Sequence, residues 1–212
     1  MLATDGNVTT VPLFAGFGSH YAWMYVGTPP QRVSLAVSTQ SSVVALPCSS
    51  AVSSSTYSQV DCGVASSLFR CQRCENAISG CEISQAYTSG ASYSARIAED
   101  FLFLASDATQ NDQVMQSKFA TNFMFGCRFN ETSAFAVQGV NGLLGLSNSD
   151  NSLVAKLYKA QKIPAKLFSL CLTPTGGSLT LGALDTSRHT RKIAYTKLGP
   201  DPLNTTEIVA TV

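Results

Sequence analysis

Acid–base or nucleophilic chemistry needs particular side chains at particular spacings, and this 212-residue sequence offers three candidate sets: a serine-rich loop, one Asp-Thr-Ser triplet and seven cysteines. Ser38-Thr39-Gln40-Ser41-Ser42 stands between the apolar runs Leu35-Ala36-Val37 and Val43-Val44-Ala45-Leu46-Pro47, which reads as strand, tight loop, strand. A serine nucleophile there needs an adjacent base and an oxyanion hole. Neither His20 nor His189 lies near it in sequence, and no G-x-S-x-G turn is present. A hydroxyl does not carry negative charge at working pH, so Ser38 is no general base either. Asp185-Thr186-Ser187 lies in a polar turn before Arg188-His189, without the apolar setting that a catalytic carboxylate requires.

The cysteines are Cys48, Cys62, Cys71, Cys74, Cys81, Cys127 and Cys171, the first five within 34 positions. Such density points to disulfides and an oxidising compartment. Zinc is the alternative for Cys71-Gln72-Arg73-Cys74, but a structural site needs four ligands and histidines are scarce, so no metal is expected. Connectivity cannot be read from spacing, and the odd count leaves one thiol without an internal partner. Asn7-Val8-Thr9, Asn130-Glu131-Thr132 and Asn204-Thr205-Thr206 are acceptor triplets for N-glycosylation, with Asn7, Asn130 and Asn204 as the modified residues.

Composition narrows the class. At 45% hydrophobic and 13% charged residues the chain is globular, and a net charge of +1 with scattered Lys and Arg gives no field for a nucleic acid. No apolar run approaches the roughly 18 residues of a membrane-spanning helix. Residues 1–6 show neither a basic region nor an apolar stretch, so no secretory signal is visible, and the chain reads as cut out of something longer.

The elements that must position the loop follow in order. Residues 1–19, with Gly6, Pro12, Gly16 and Gly18, predict a loose arm or short strand. Tyr21 to Val26 predicts a strand with Tyr21, Trp23 and Tyr25 on one face. Thr28-Pro29-Pro30 ends it, and Gln31 to Val37 returns as the strand that delivers Ser38. Residues 48–81 show no sustained period and predict a disulfide-held loop insert. Ile83 to Leu104 predicts a hairpin around Thr88-Ser89-Gly90. Phe119 to Phe129 predicts a buried strand. Ser152, with Asp150 and Asn151, caps one short helix near 152–161, stopped by Pro164. Phe168 to Leu172 and Leu179 to Gly182 predict further strands, as do Ile193 to Thr196 and Ile208 to Val212.

Read together, Tyr21 through Gly27-Thr28-Pro29-Pro30-Gln31, then Ser38-Thr39-Gln40-Ser41-Ser42, then Asn141-Gly142-Leu143-Leu144-Gly145-Leu146, resemble in order the first-lobe motifs of pepsin-like aspartic proteases. Phe125-Gly126-Cys127, Phe168-Ser169-Leu170-Cys171-Leu172 and the cysteine insert resemble the plant-like and protist-like branch. The resemblance implies an all-β pepsin-like acid protease fold with a complete N-terminal lobe and a truncated C-terminal lobe. The implied domains are an arm at 1–19, the lobe at 20–172 with its insert at 48–81, and the interlobe crossover with the beginning of the second lobe at 173–212.

The resemblance also implies roles. Ser38 stands where the family has its first catalytic aspartate, Gln40 where it has glycine, and Ala45 where a tryptophan often frames the cleft. Thr39, Gln40, Ser41, Gly142, Leu143, Leu144 and Gly145 form the motif loop, Gln40 crowding it, and Tyr87 is the tyrosine of a flap hairpin that closes over substrate. Such enzymes hydrolyse peptides with two carboxylates sharing a proton, one supplied by each lobe. No Asp-Thr-Gly or Asp-Ser-Gly occurs in this sequence, so no catalytic set is intact. The expected function is that of an aspartic endopeptidase relative, catalytically inactive in this chain. A peptide-binding or hydrolase-inhibiting pseudoprotease and a truncated gene copy without function are the alternatives. No cofactor is expected. The expected partners are a peptide or protein ligand in the cleft and the missing second lobe, in the secretory pathway, outside the cell or in a vacuolar or endomembrane lumen.

Overall fold

The computed structural model describes residues 8–188 apart from 17, 51–52, 75–79, 88, 106–112 and 133–138. Asn7, His189, Asn204 and the expected strands at 193–196 and 208–212 lie outside the described residues. Alternating apolar residues with Gly and Pro punctuation give strands β1 (Thr9–Gly16), β2 (Ser19–Val26), β3 (Gln31–Ser38), β4 (Ala45–Pro47) and β5 (Ser58–Gln59). They continue with β6 (Glu82–Ala86), β7 (Ser92–Leu104), β8 (Thr121–Glu131), β9 (Gly142–Gly145), β10 (Phe168–Thr173) and β11 (Gly176–Leu181). The helices are α1 (Cys62–Ser66), α2 (Gln113–Phe119) and α3 (Leu153–Lys159).

All strands join one sheet in the order β10-β11-β1-β2-β3-β9-β4-β8-β7-β5, with β6 on β7. Because β2 also pairs with β7, from Met24↔Leu104 to Val26↔Leu102, the path β2-β3-β9-β4-β8-β7 returns to its start and closes a ring. Closure leaves none of these strands with an open edge along that path.

The pleat sends alternate residues to two cores. Leu35, Leu46, Leu144, Leu102 and Phe125 pack in the larger one with Met24, Leu153 and Leu181. Ala36, Ala45, Leu143, Ala95 and Tyr93 pack on the other side. β3 and β9 are therefore buried on both faces, which is why Val33 to Ala36 and Gly142 to Leu146 are buried without interruption.

Several expectations are corrected. Of the two alternatives for the first residues, a loose arm or a short strand, the structure shows the strand: β1 pairs with β2 and with β11, because Val11 and Leu13 enter the larger core. The expected boundary at 172/173 falls inside β10, whose hairpin partner β11 is bonded to β1 in the same sheet. β10 is half-buried rather than buried, since among the described residues it has a partner on one side only. The single expected helix is accompanied by α1 and α2. Ser152 caps α3 as predicted, accepting from the Ala155 amide at 3.2 Å. α3 ends at Lys159, with Gln161 at φ 56°, before Pro164 is reached, and Tyr158 faces solvent.

The cysteine insert is not a free loop. Cys62 pairs with Cys74 and Cys71 with Cys81, while Cys48 reaches out of the insert to Cys127 on β8, with Cα atoms 4.7 Å apart. Cys171 is the free thiol, half-buried on β10. The sulfurs of Cys62, Cys71 and Cys74 lie within 4.8 Å of one another because two disulfides sit side by side. Asp100 on β7, fully buried, accepts from Thr56 Oγ1 at 2.6 Å and from the Phe101 amide at 2.8 Å. Thr56 Oγ1 in turn meets Thr28, and the Thr28 amide donates to Ser54 Oγ, so one carboxylate ties the insert to the β2–β3 turn.

Replacing Cys48 and Cys127 together by serine opens a covalent loop with a sequence separation of 79. The expected cost is about 4 kcal/mol in urea unfolding, from the freed entropy of the unfolded chain. The folded parent chain is expected to yield one reactive thiol, at Cys171, on titration with a disulfide reagent.

Candidate functional site

The loop after β3 is built around a strand that passes through it. β9 runs parallel to β3, with Ala36 opposite Leu143 and Ser38 opposite Gly145. The chain then crosses the end of β9 and comes back on its other side as β4, with Ala45 opposite Leu143. The Ser38 carbonyl accepts from the Leu146 amide at 2.9 Å, and the Ser41 carbonyl from the Ser147 amide at 3.0 Å. Ser41 Oγ donates to the Val43 carbonyl at 3.1 Å and accepts from the Val43 amide at 3.2 Å, which folds the tip into a compact turn.

Glycine is a steric necessity at both crossings. A Cβ on Gly145 would stand 2.5 Å from the Val43 oxygen and 2.7 Å from the Ser41 oxygen. One on Gly142 would fall onto the Ala45 carbonyl. The residue before Gly142 fixes the crossing from the side: Asn141 Oδ1 accepts from the Ser34 amide and hydroxyl at 2.9 and 3.0 Å, and its own amide donates to Ser34 Oγ at 3.0 Å.

Ser38 and Thr39 are half-buried, Gln40 is exposed and Ser41 is 2% exposed. From Ser38 to Ser42 the loop carries hydroxyls and one amide and no ionisable group. It can donate to or accept from a peptide group, but it has nothing to deprotonate water.

Over the loop lies the β6–β7 hairpin. Tyr87 follows β6, and its amide donates to the Ala91 carbonyl at 2.9 Å while Gly90, at φ 83°, donates to the Tyr87 carbonyl at 3.0 Å. The Tyr87 side chain packs on the second core with its ring centroid 6.5 Å from that of Tyr93, and its hydroxyl, near Ser41 and Tyr93, is buried and makes no hydrogen bond. The structure thus brings Tyr87 to the same loop that carries Ser38. Burial pushes the phenols of Tyr87 and Tyr93 above their ordinary range, Tyr93 the further.

Two residues at this place carry no motif in the sequence. Tyr93 is locked by strands on both sides, opposite Gln85 and Glu131. The buried guanidinium of Arg128 donates to Glu131 and to the Asn141 carbonyl, and sits in the field of Tyr93 and Tyr87. Burial works against its charge and Glu131 restores it. The one available signal was composition: an arginine inside the apolar run Phe119 to Phe129 needs a partner.

Other candidates lie elsewhere. Asp185 caps its own turn, accepting from the amide of Ser187 at 3.1 Å. Asn130 is exposed near the end of β8, and Thr132 binds the backbone of Ser92. Among the described residues no helix is long and apolar enough to cross a membrane.

Comparison with known proteins gives a consistent picture. Residues 20–183 match the family profile described as "Xylanase inhibitor N-terminal". The chain is 31% identical over 231 aligned positions to Aspartyl protease AED3 of Arabidopsis thaliana, covering 95% of this chain and 46% of that protein. It is 25% identical to Aspartic protease 5 of Toxoplasma gondii, covering 80% of this chain and 20% of the relative. The fold is similar to that of the aspartic proteinase from Irpex lacteus, with a TM-score of 0.68 and 23% identity, over 92% of this chain and 54% of the other. The chain spans less than half the length of these curated relatives.

Gly145→Ala is expected to lower stability by about 2–3 kcal/mol in urea unfolding, since backbone atoms line the clash. Gly18→Ala, at φ 76° but with nothing within 4 Å, is expected to cost about 1 kcal/mol. A second expectation concerns alkaline pH. The phenols of Tyr87 and Tyr93 keep their protons in the folded chain above 10.0, where the unfolded chain releases them. Their contribution is therefore complete below about pH 10 and is lost as pH rises, with a slope of at most about 1.4 kcal/mol per pH unit for Tyr93. Tyr93→Phe makes that decline shallower.

Proposed function

This chain belongs to the pepsin-like aspartic protease family, with the N-terminal lobe of the xylanase-inhibitor type, and from that membership we propose that it holds an extended peptide or protein segment between its hairpin and its Ser38 loop without hydrolysing it. One observation carries the reading. Ser38 stands opposite Gly145 on a crossing that is built in full, and the resemblance of the surrounding motifs supports reading it as the position of the family's first catalytic aspartate. A peptide in an aspartic protease is cleaved because one carboxylate takes a proton from water as another gives one to the carbonyl oxygen. Here the loop offers hydroxyls, which bind a peptide backbone and leave the water neutral. Gly142, Leu143, Leu144 and Gly145 support the loop, Thr39, Gln40 and Ser41 shape its tip, and Tyr87 covers the ligand.

The second reading, a module that blocks a partner hydrolase, is favoured by the description of the matched family, "Xylanase inhibitor N-terminal". For either role the compartment is the oxidising secretory route, supported by three disulfides, with Asn130 as the described glycan acceptor.

Incubation of the purified chain with denatured protein at acid pH is expected to give no pepstatin-sensitive cleavage, and detection of such cleavage overturns the reading. Pepstatin, used as a peptide probe, is expected to bind, and Tyr87→Ala to weaken it about tenfold by removing the covering ring. Inhibition of a xylanase without pepstatin binding would favour the second reading over the first.

A further inference from the structure

We infer that Asn130 carries an N-linked glycan whose first sugar lies against the ring of Phe129, so that the modification caps the outer face of β6, β7 and β8 at their common end. The inference rests on reading Asn130 as a glycan acceptor in the secretory route. It is independent of what the Ser38 loop binds, and it adds the contact that gives the sugar a fixed place.

Consecutive residues of a regular strand point to opposite faces, so an asparagine and the residue before it do not ordinarily share a sugar. β8 departs from that alternation where the acceptor lies. Ala95 pairs with Arg128 and Ser94 with Asn130, which leaves Phe129 as the extra residue of a β-bulge. Arg128 thereby comes to share a face with Glu131, and the two form an ion pair although three positions separate them. On the opposite face Phe129 and Asn130 stand side by side.

Strand partners identify that second face as the one in water. Asn130 is exposed and lies across from Ser94, which in turn lies across from Ser84, the two hydroxyls 3.1 Å apart. Two residues along β7 from Ser94, the Arg96 guanidinium lies over the Phe129 ring, 5.0 Å from its centroid, with Nε 3.1 Å from a Glu82 oxygen. Phe129 is still 49% exposed with that cation upon it. A bulky group on the Asn130 nitrogen therefore meets short serine side chains across the sheet and one raised aromatic ring beside it. The first sugar, an N-acetylhexosamine, has one face of C–H bonds that their oxygens polarise toward positive. Such a face suits the electron-rich face of a phenyl ring, while its hydroxyl rim reaches polar groups such as Ser84, Ser94 and Arg96.

Attachment consumes an oligosaccharide joined through diphosphate to a polyprenol lipid. The Asn130 amide nitrogen bonds to C1 of the first sugar and gives up one proton, while the C1–O bond to phosphate breaks and the lipid diphosphate leaves with its electron pair. In the folded chain Thr132, the third residue of the acceptor triplet, accepts from the Ser92 amide at 3.0 Å, so the transfer precedes the pairing of this end of β8 with β7.

The full chain, secreted from a eukaryotic host behind a cleavable leader, tests this. Peptide mass mapping is expected to find Asn130 occupied, and an endoglycosidase then trims the glycan to its first sugar. The unfolding constant of that one-sugar form in urea is expected to be about fivefold below that of Asn130→Gln, and the difference is expected to vanish when both carry Phe129→Ser. Proton resonances of the sugar are expected to lie upfield through the ring current and to return to their ordinary places in Phe129→Ser. A bare Asn130 overturns the inference, as does a glycan that stabilises Phe129→Ser as much as the parent. Because the leader imposes the route, these outcomes are separate from whether the native chain takes it, and from the pepstatin test.

Discussion

Everything in this lobe depends on two pieces of backbone passing closer than any side chain would permit. β9 threads between β3 and β4, and Gly142 and Gly145 meet carbonyl oxygens of the strand and loop that embrace them. Put a methyl group at either point and β9 must withdraw. The ring β2-β3-β9-β4-β8-β7 would then open at its centre, and the separation of the two cores at Leu35/Ala36 and Leu144/Leu143 would go with it. The crossing therefore acts on two levels: it closes the sheet, and it presents Ser38 on a loop that cannot drift.

Around that crossing, polar groups do the fastening that apolar packing cannot do with direction. Asn141 binds Ser34, Arg128 binds the Asn141 carbonyl, and Asp100 binds Thr56. Ser34, Arg128 and Asp100 are buried, so removing the partner of any of them would orphan a buried polar group, and each link fixes one geometry among the several that hydrophobic burial would accept. None of these three links runs through the Ser38 side chain, so the frame around the loop is set by other residues.

Much of this was legible in the sequence, and the reason is locality. The alternation of Tyr21 to Val26, the turn at Thr28-Pro29-Pro30, the glycines at 142 and 145 and the serine cap at 152 act within a few residues of themselves, so their pattern survives in a linear reading. What was not legible involves partners far apart. The stretch that forms β1 left a loose arm and a short strand open, and its pairing with β11, about 170 positions away, has no local signature. Seven cysteines announce disulfides but not that Cys48 would choose Cys127. Tyr93 and Arg128 carried no motif, and their place beside Tyr87 comes from three strands meeting.

The Cys48–Cys127 bond has a further effect on how this molecule would fail. It spans the insert, the hairpin and most of β7 and β8, so a protease that cuts an exposed stretch anywhere between those two cysteines leaves both fragments tethered. The nicked polypeptide would migrate as one species on a non-reducing gel and as two after reduction, and the closed strand ring would keep the halves folded together in the meantime. A cut between Cys48 and Cys127 is thereby confined to one peptide bond.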